Sequence, residues 1–173
     1  MFAVLSNFFS RKSQNASLQN EMMTLTAPLA GEVIALRDVV DPVFAQGMVG
    51  DGIAILPFGH EVCAPIDGTV TTLLASKHAV GITTSDGIEL LIHVGIDSVE
   101  LKGEGFVAYI EQGQEVKQGQ KLLDVDLTVL REKAKSMQTP FIITNVDQVE
   151  IVERAPDGPI QLGDVAMVMR KRG

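Results

Sequence analysis

The sequence predicts an all-β protein: an antiparallel β-sandwich or barrel with internal duplication and at most one or two short helices. Two repeats and a scarcity of helical periodicity lead to this prediction. APLAGEVIAL at 27–36 recurs as APIDGTVTTL at 64–73, and DGIAIL at 51–56 recurs as DGIELL at 86–91. Because Asp-Gly turns followed by β-branched runs mark hairpins, each repeat indicates short strands joined by turns. Such a pattern is typical of sandwiches and barrels.

A looser repeat extends the duplication toward the C-terminus. GQEVKQGQKLLDVD at 113–126 is echoed by GPIQLGDVAMVM at 158–169. Each segment has a glycine turn, at Gly119 or Gly163, followed by an apolar run. Both segments are therefore predicted to end in a strand.

One segment has helical spacing, from Leu127 to Ala134. Leu127, Leu130 and Ala134 would share one side of a helix there, and Asp126 precedes them as a candidate N-cap. We expect a single short helix on the β-sandwich at this point.

The chain is predicted to form one domain, 22–173, preceded by a tail, 1–21, that is either flexible or amphipathic. On a helix the apolar side chains of the tail would share a face, with a basic pair just beyond. This arrangement would give weak membrane contact, although so short a helix is marginal in water. The basic pair follows the apolar stretch, which differs from a secretory signal. The residues concerned are Phe2, Leu5, Phe8, Phe9, Arg11 and Lys12.

Composition narrows the classes of partner. The formal net charge is −8, which argues against nucleic acid and suits docking on a basic protein surface. Cys63 is the one cysteine, so no intrachain disulfide forms and a reducing, cytoplasmic setting is expected. No apolar run approaches the roughly 20 residues that span a bilayer.

The segment ELLIHVGIDS, at 89–98, is predicted to be a strand with two different faces. Side chains alternate along a strand, so one face carries a continuous apolar row and the other a mixed row. His93 falls on the mixed row, which suits a docking surface better than a core. The apolar row is Leu90, Ile92, Val94 and Ile96, and the mixed row is Leu91, His93, Gly95 and Asp97.

A second histidine, His78, is predicted to lie beside His93. LLASKHAVGI is interpreted as a strand that pairs with the His93 strand across the Asp86-Gly87 turn. This register puts residue 78 opposite position 94 or 95, so that the two imidazoles meet. The same strand would place Leu74, Ser76, His78 and Val80 on one face.

The chemistry of such a pair stays open at this point. A neutral imidazole has one free lone pair, so it can act as a nucleophile or as a metal ligand. The chain has no HxH, HExxH or CxxC pattern for zinc, no G-x-S-x-G, no P-loop and no G-x-G-x-x-G. A phosphohistidine carrier needs only one accessible ring, a second polar group and a flat rim. Two structural histidines are the equally weighted alternative.

The chain resembles the glucose-family enzyme IIA of the bacterial phosphoenolpyruvate-dependent sugar phosphotransferase system. LLIHVGIDSVELKGEGF is similar to the phosphohistidine signature of that family. The resemblance runs from about Met22 to Lys171, with the other family segments in the same order. These are APLAGEVIAL, DPVF, VGDGIAILP, KHAVGI, GQKLLDVDL and TPFIITN.

The resemblance implies roles for individual residues. His93 would accept a phosphoryl group, through Nε2, from the donor protein HPr and pass it to a cysteine of a IIB domain. His78 would stabilise the group and assist onward transfer, and Ser76 would orient His78. Asp41 and Asp97 would meet basic residues of HPr. An apolar rim would surround the histidines, formed by Phe44, Leu74, Val80, Leu91 and Val94.

The resemblance also implies partners, and three other classes of protein are alternatives to it. Regulatory target proteins are expected partners, no cofactor is expected, and a zinc ion shared by His78 and His93 in a partner complex stays open. A lysostaphin-type metallopeptidase should carry a late H-x-H, and a biotinyl or lipoyl carrier should carry an A-M-K-M-like tripeptide; the chain has neither. A regulatory module that has lost phosphoryl transfer is the third alternative.

Overall fold

The computed structural model describes residues 22–173 as strands joined by short turns, with two α-helices. The predicted tail, 1–21, lies outside the described residues. The helices are α1, Pro42–Ala45, and α2, Leu127–Lys133. The strands are β1 Met22–Thr26, β2 Gly31–Ala35, β3 Asp51–Pro57, β4 Glu61–Cys63, β5 Gly68–Leu73, β6 Ala79–Thr83, β7 Glu89–His93, β8 Phe106–Ala108, β9 Glu115–Val116, β10 Lys121–Val125, β11 Thr139–Ile143, β12 Val149–Arg154, β13 Gly158–Ile160 and β14 Val165–Lys171.

The strands form one large sheet and two small ones, and every strand pair in them is antiparallel. The large sheet has the order β13-β2-β3-β11-β7-β6-β5-β9, and the small sheets have the orders β1-β14-β12 and β4-β10-β8. The predicted all-β antiparallel sandwich with one or two short helices is therefore confirmed.

The two small sheets have corresponding strand orders, so the predicted duplication is present in the fold. Each combines the strand that precedes one repeat with a strand from the C-terminal echo. The turns that open the repeats also bond to each other reciprocally. The Thr26 N–H donates to the Pro65 carbonyl at 2.9 Å, and the Cys63 N–H donates to the Pro28 carbonyl at 2.7 Å. In the sequence repeat Thr26 corresponds to Cys63 and Pro28 to Pro65, so these bonds follow a pseudo-two-fold axis.

The glycine turns of the looser repeat are anchored in the same way. Ala27 accepts from the Gly163 N–H at 3.2 Å, and its repeat equivalent, Ala64, accepts from the Gly119 N–H at 2.8 Å. Both glycines have positive φ, +86° in each case, a conformation that glycine adopts without a Cβ penalty. The echo between 113–126 and 158–169 thus reflects one local structure formed twice.

Strand β7 has the two faces that its alternation predicts. Leu90, Ile92 and Val94 lie in the main core, as predicted, and β7 pairs with β6 in the predicted hairpin register. Ile96 is also buried, but it follows the turn at Gly95 and packs in a separate cluster with Phe44 and Leu91, so it does not continue that row. Ala79 lies opposite His93, and the Val94 N–H donates to the His78 carbonyl at 2.7 Å. On its other side β7 pairs with β11, so the strand that ends at His93 is central in the large sheet.

Helix α2 agrees with the predicted helix and lies behind the His93 loop. The Asp126 side chain caps it by accepting from the N–H groups of Thr128 and Val129. Leu130 is buried, and a Cβ added to Gly95 would come within 2.7 Å of its Cδ1 atom. Since Gly95 also has a φ of +75°, only glycine fits this loop without strain. The helix therefore closes the back of the segment that follows His93.

Candidate functional site

His93, the last residue of β7, is partly exposed and held in one orientation by its own loop. Its Nδ1 atom lies 2.8 Å from the carbonyl oxygen of Gly95. A carbonyl oxygen only accepts hydrogen bonds, so Nδ1–H is the donor and the proton of the neutral ring is on Nδ1. Phe44 of α1 packs against the ring with a centroid separation of 5.0 Å. The geometry leaves Nε2 as the nitrogen with a free lone pair.

His78 lies edge-on to His93, with ring centroids 4.9 Å apart and an interplanar angle of 79°. The predicted meeting of the two imidazoles is confirmed. His78 is 3% exposed, and its Nδ1 atom is 2.6 Å from the Ser76 hydroxyl oxygen. Because Ser76 holds Nδ1, the Nε2 side of His78 is left to face the neighbouring ring or a bound group.

Burial keeps both imidazoles neutral near pH 7. Desolvation, followed by the proximity of His93, lowers the pKa of His78 from 6.5 to about 4. Desolvation also lowers the pKa of His93, opposed by its bond to the Gly95 carbonyl and by the charges of Asp41 and Asp97. Neutrality matters because a protonated imidazole has no lone pair and cannot act as a nucleophile.

Asp41 and Asp97 reach the site from two different segments. Asp41 is the N-cap of α1, where its Oδ1 accepts from the Val43 N–H at 2.8 Å. Asp97 is exposed, follows the Gly95 loop, and has a left-handed backbone with φ +55°. Both carboxylates are close enough to His93 to act on its pKa. The site is therefore a histidine pair with negative charge around it.

Two of the predicted rim residues lie in the core instead. Val80 is 0% exposed and Val94 is 2% exposed, so neither forms part of an apolar rim. Phe44 is also buried, although its ring touches that of His93. Leu74 is 44% exposed and Leu91 is partly exposed, which is compatible with a rim.

The error for Val80 has a local cause, because the segment predicted as one strand contains a turn. β5 ends at Leu73 and β6 begins at Ala79. Between them the Lys77 N–H donates to the Leu74 carbonyl at 2.8 Å, and Lys77 has a φ of +59°. The strand therefore starts only at Ala79, which lies opposite His93, and the next residue, Val80, faces the core opposite Ile92.

Sequence reasoning also missed parts of the site. The Gly95 carbonyl carries the bond that orients His93, and no side-chain pattern indicates a backbone acceptor. Exposed valines flank the two aspartates: Val40 and Val43 beside Asp41, and Val99 beyond Asp97. A four-residue helix such as α1 is too short for periodicity to indicate which side chains face outward.

The described part of the chain has neither a cluster of metal-ligating side chains nor a membrane-spanning helix. Within 22–173 no group of three or more His, Cys, Asp or Glu side chains is placed to hold a metal ion. Among the helices of the same residues, none is long and apolar enough to cross a membrane.

Fold and site together define a small antiparallel β-sandwich that holds a partly exposed histidine, with Nε2 free, beside a second, buried histidine. Comparisons with known proteins agree with this class. Residues 23–149 match the family described as phosphoenolpyruvate-dependent sugar phosphotransferase system, EIIA 1. The chain is 43% identical over 160 residues to the PTS system glucose-specific EIIA component of Halalkalibacterium halodurans, spanning 92% of this chain and 91% of that protein.

A second relative and a solved structure extend the agreement. The glucose-specific EIIA component of Haemophilus influenzae is 37% identical over 159 residues, 92% of this chain and 93% of that protein. The structure of glucose permease IIA from Mycoplasma capricolum superposes with a TM-score of 0.82 at 39% identity, covering 85% of this chain and 95% of that one. The chain belongs to the EIIA 1 family of the sugar phosphotransferase system, whose members are phosphocarriers between HPr and a IIB domain.

The depressed histidine pKa values predict a pH-dependent stability. Between about pH 6.5 and pH 4 the unfolded chain binds more protons than the folded one, since its histidines have ordinary pKa values. Above pH 6.5 both histidines are neutral in the folded and the unfolded chain, so they do not lower stability there. As the pH decreases toward 4 the unfolded chain is stabilised by the extra protons, and the free energy of unfolding should fall. Urea unfolding across this range measures the effect. A His78→Gln variant should lose less stability over the same interval, and an identical slope would contradict the account.

Proposed function

We propose that His93 accepts a phosphoryl group on Nε2 from HPr and passes it to a cysteine of a IIB domain. The bond from Nδ1–H to the Gly95 carbonyl supports this assignment most strongly, because it leaves the Nε2 lone pair free on a neutral ring. His93 is also partly exposed, as a group that meets two successive macromolecular partners must be.

The first step is an in-line displacement at phosphorus. The Nε2 lone pair forms a new N–P bond while the N–P bond of the donor's phosphohistidine breaks, and the donor imidazole leaves with that electron pair. His93 keeps its Nδ1 proton throughout, so no base has to act on it. Such transfers pass through loose transition states, and the protein contributes chiefly position and electrostatic stabilisation.

His78 stabilises the transferred group. Its folded-state pKa of about 4 keeps the ring neutral, and a hydroxyl proton donated by Ser76 to Nδ1 places the ring proton on Nε2. Nε2–H then donates to an oxygen of the phosphoryl group on His93, whose ring centroid is 4.9 Å from that of His78. In the second step a thiolate of the IIB domain attacks the phosphorus, and the N–P bond to His93 breaks.

The surface around the histidines suits a basic donor with an apolar contact area. Asp41 and Asp97 supply negative charge, and the chain as a whole has a net charge of −8. The apolar contact area contains Leu74 and Leu91, which the sequence already indicated. It also contains three exposed valines: Val40, Val43 and Val99. Opposite charges accelerate the encounter of the two proteins, while the apolar contacts align the donor's phosphohistidine with His93.

Further proposals concern the setting of the reaction. The names of the relatives support a glucose permease as the acceptor. Transfer between histidine and cysteine needs no cofactor, and we place the chain in the cytoplasm, where a cysteine of the acceptor stays reduced. Binding of regulatory proteins, weak membrane contact through 1–21, and zinc shared by His78 and His93 with a partner's carboxylate are the remaining proposals.

Substitution of the two histidines separates the proposed roles. His93→Ala should abolish the one-phosphate, acid-labile mass increase produced by phosphoenolpyruvate, enzyme I and HPr. His78→Gln should retain that increase but slow onward transfer to a IIB domain by about 100-fold or more, in the range of one lost charge-stabilising donor. Mass spectrometry and a coupled sugar-phosphorylation assay measure the two steps. Labelling that survives His93→Ala would contradict the assignment, and equal losses of both steps in His78→Gln would contradict the division of roles.

Neutralising the aspartates tests donor docking. The double variant Asp41→Asn, Asp97→Asn keeps a capping side chain on α1 and removes two charges. Its kcat/KM for phospho-HPr should fall about 3- to 10-fold at low ionic strength, and the deficit should shrink with added salt. Asp86→Asn, in the exposed turn between β6 and β7, is the control and should change little. A deficit that is independent of salt, or equal in the control, would refute the docking role.

A further inference from the structure

Thr139, the first residue of β11, is linked to the histidine pair by hydrogen bonds that the proposed function does not use. Its side chain is 0% exposed, and its hydroxyl donates to the Met137 carbonyl at 3.0 Å. The same oxygen accepts from the Gly95 N–H at 3.3 Å. A hydroxyl has one proton, so donation to Met137 leaves lone pairs for Gly95. The hydroxyl is therefore oriented as an acceptor.

The bond from Thr139 holds one of the two peptide groups that flank Gly95. The other contains both the Gly95 carbonyl and the Ile96 N–H, and this N–H donates to the Ser136 carbonyl at 2.9 Å. Because a peptide group is planar with its C=O and N–H directed oppositely, that bond turns the Gly95 carbonyl toward His93. Glycine has wide torsional freedom, and anchors on both peptide groups restrict it. The first peptide group is held at both ends, because its Val94 carbonyl accepts from the Ser98 hydroxyl at 2.5 Å while its Gly95 N–H donates to Thr139.

We propose that Thr139 is a positioning residue for phosphoryl transfer, which keeps the Gly95 carbonyl aimed at Nδ1 of His93 and so keeps Nε2 unprotonated. The inference rests on the proposed function, in which His93 is the acceptor. It also gives a role to Thr139 as the first residue of the segment TPFIITN, which the histidine chemistry alone does not explain.

A second buried threonine provides a matched control. The Thr84 hydroxyl accepts from the Ile88 N–H at 3.1 Å, so it makes the same kind of bond to a backbone donor. Thr84 lies at the turn end of the β6–β7 hairpin, whereas His93 lies at the opposite end of β7. Replacing Thr84 by Val removes a comparable bond without touching the Gly95 loop.

The test compares the full chain with Thr139→Val, Thr139→Ser and Thr84→Val. In the ¹⁵N spectra of the unphosphorylated proteins, the wild type should show His93 as the Nδ1–H tautomer alone. Thr139→Val should show a mixture of tautomers, and its rate of phosphorylation by phospho-HPr should be about 3- to 10-fold lower, because the reactive orientation is populated less. Thr139→Ser and Thr84→Val should keep the wild-type tautomer and rate.

Several results would overturn the proposal. A wild-type tautomer and rate in Thr139→Val would do so, as would a tautomer mixture in the wild type or equal changes in Thr84→Val. If Thr139→Val fails to fold, Thr139→Ala removes the hydroxyl with less bulk and is judged by the same two measurements. The tautomer spectrum requires no phosphorylation, so it tests Thr139 even if labelling of His93→Ala shows that another residue is the acceptor.

Discussion

The hydrogen bond from His93 Nδ1–H to the Gly95 carbonyl determines what the site can do. It selects the nitrogen that carries the proton and leaves the lone pair of Nε2 free, which is the lone pair that attacks phosphorus in the proposed function. The bond exists because the chain turns sharply after β7 at a glycine with φ +75°, a turn closed from behind by Leu130 of α2. The position of the ring proton therefore depends on a backbone conformation and on the groups that hold it.

The large sheet explains why this turn is stable. β7 is held between β6 and β11, so the strand that ends at His93 has hydrogen-bonded neighbours on both sides. The neighbours also bring the other parts of the site: β6 follows directly on His78, and β11 begins with Thr139. Burial of the two rings keeps them neutral near pH 7, so the same packing that orients the pair also leaves each ring a nitrogen with a free lone pair.

Local rules predicted much of this fold from the sequence. The repeats indicated the duplication, alternation placed Leu90 and Ile92 in the core, and the Asp86-Gly87 turn fixed the register that joins the histidines. The errors concern two of the predicted rim residues, Val80 and Val94, which are buried. Ala79 is the β6 residue opposite His93, so alternation turns Val80 into the core with Ile92, and Val94 belongs to the same buried row as Ile92. The bond between Thr139 and Gly95 could not be found this way, because it joins residues 44 positions apart.

The central claim is that the Gly95 carbonyl reserves Nε2 of His93 for the phosphoryl group. The most direct measurement is ³¹P–¹⁵N coupling in the phosphorylated, ¹⁵N-histidine-labelled chain. The account predicts coupling of phosphorus to Nε2 of His93, with Nδ1 of the same ring still bearing its proton. Phosphorus coupled to Nδ1, or to either nitrogen of His78, would contradict it.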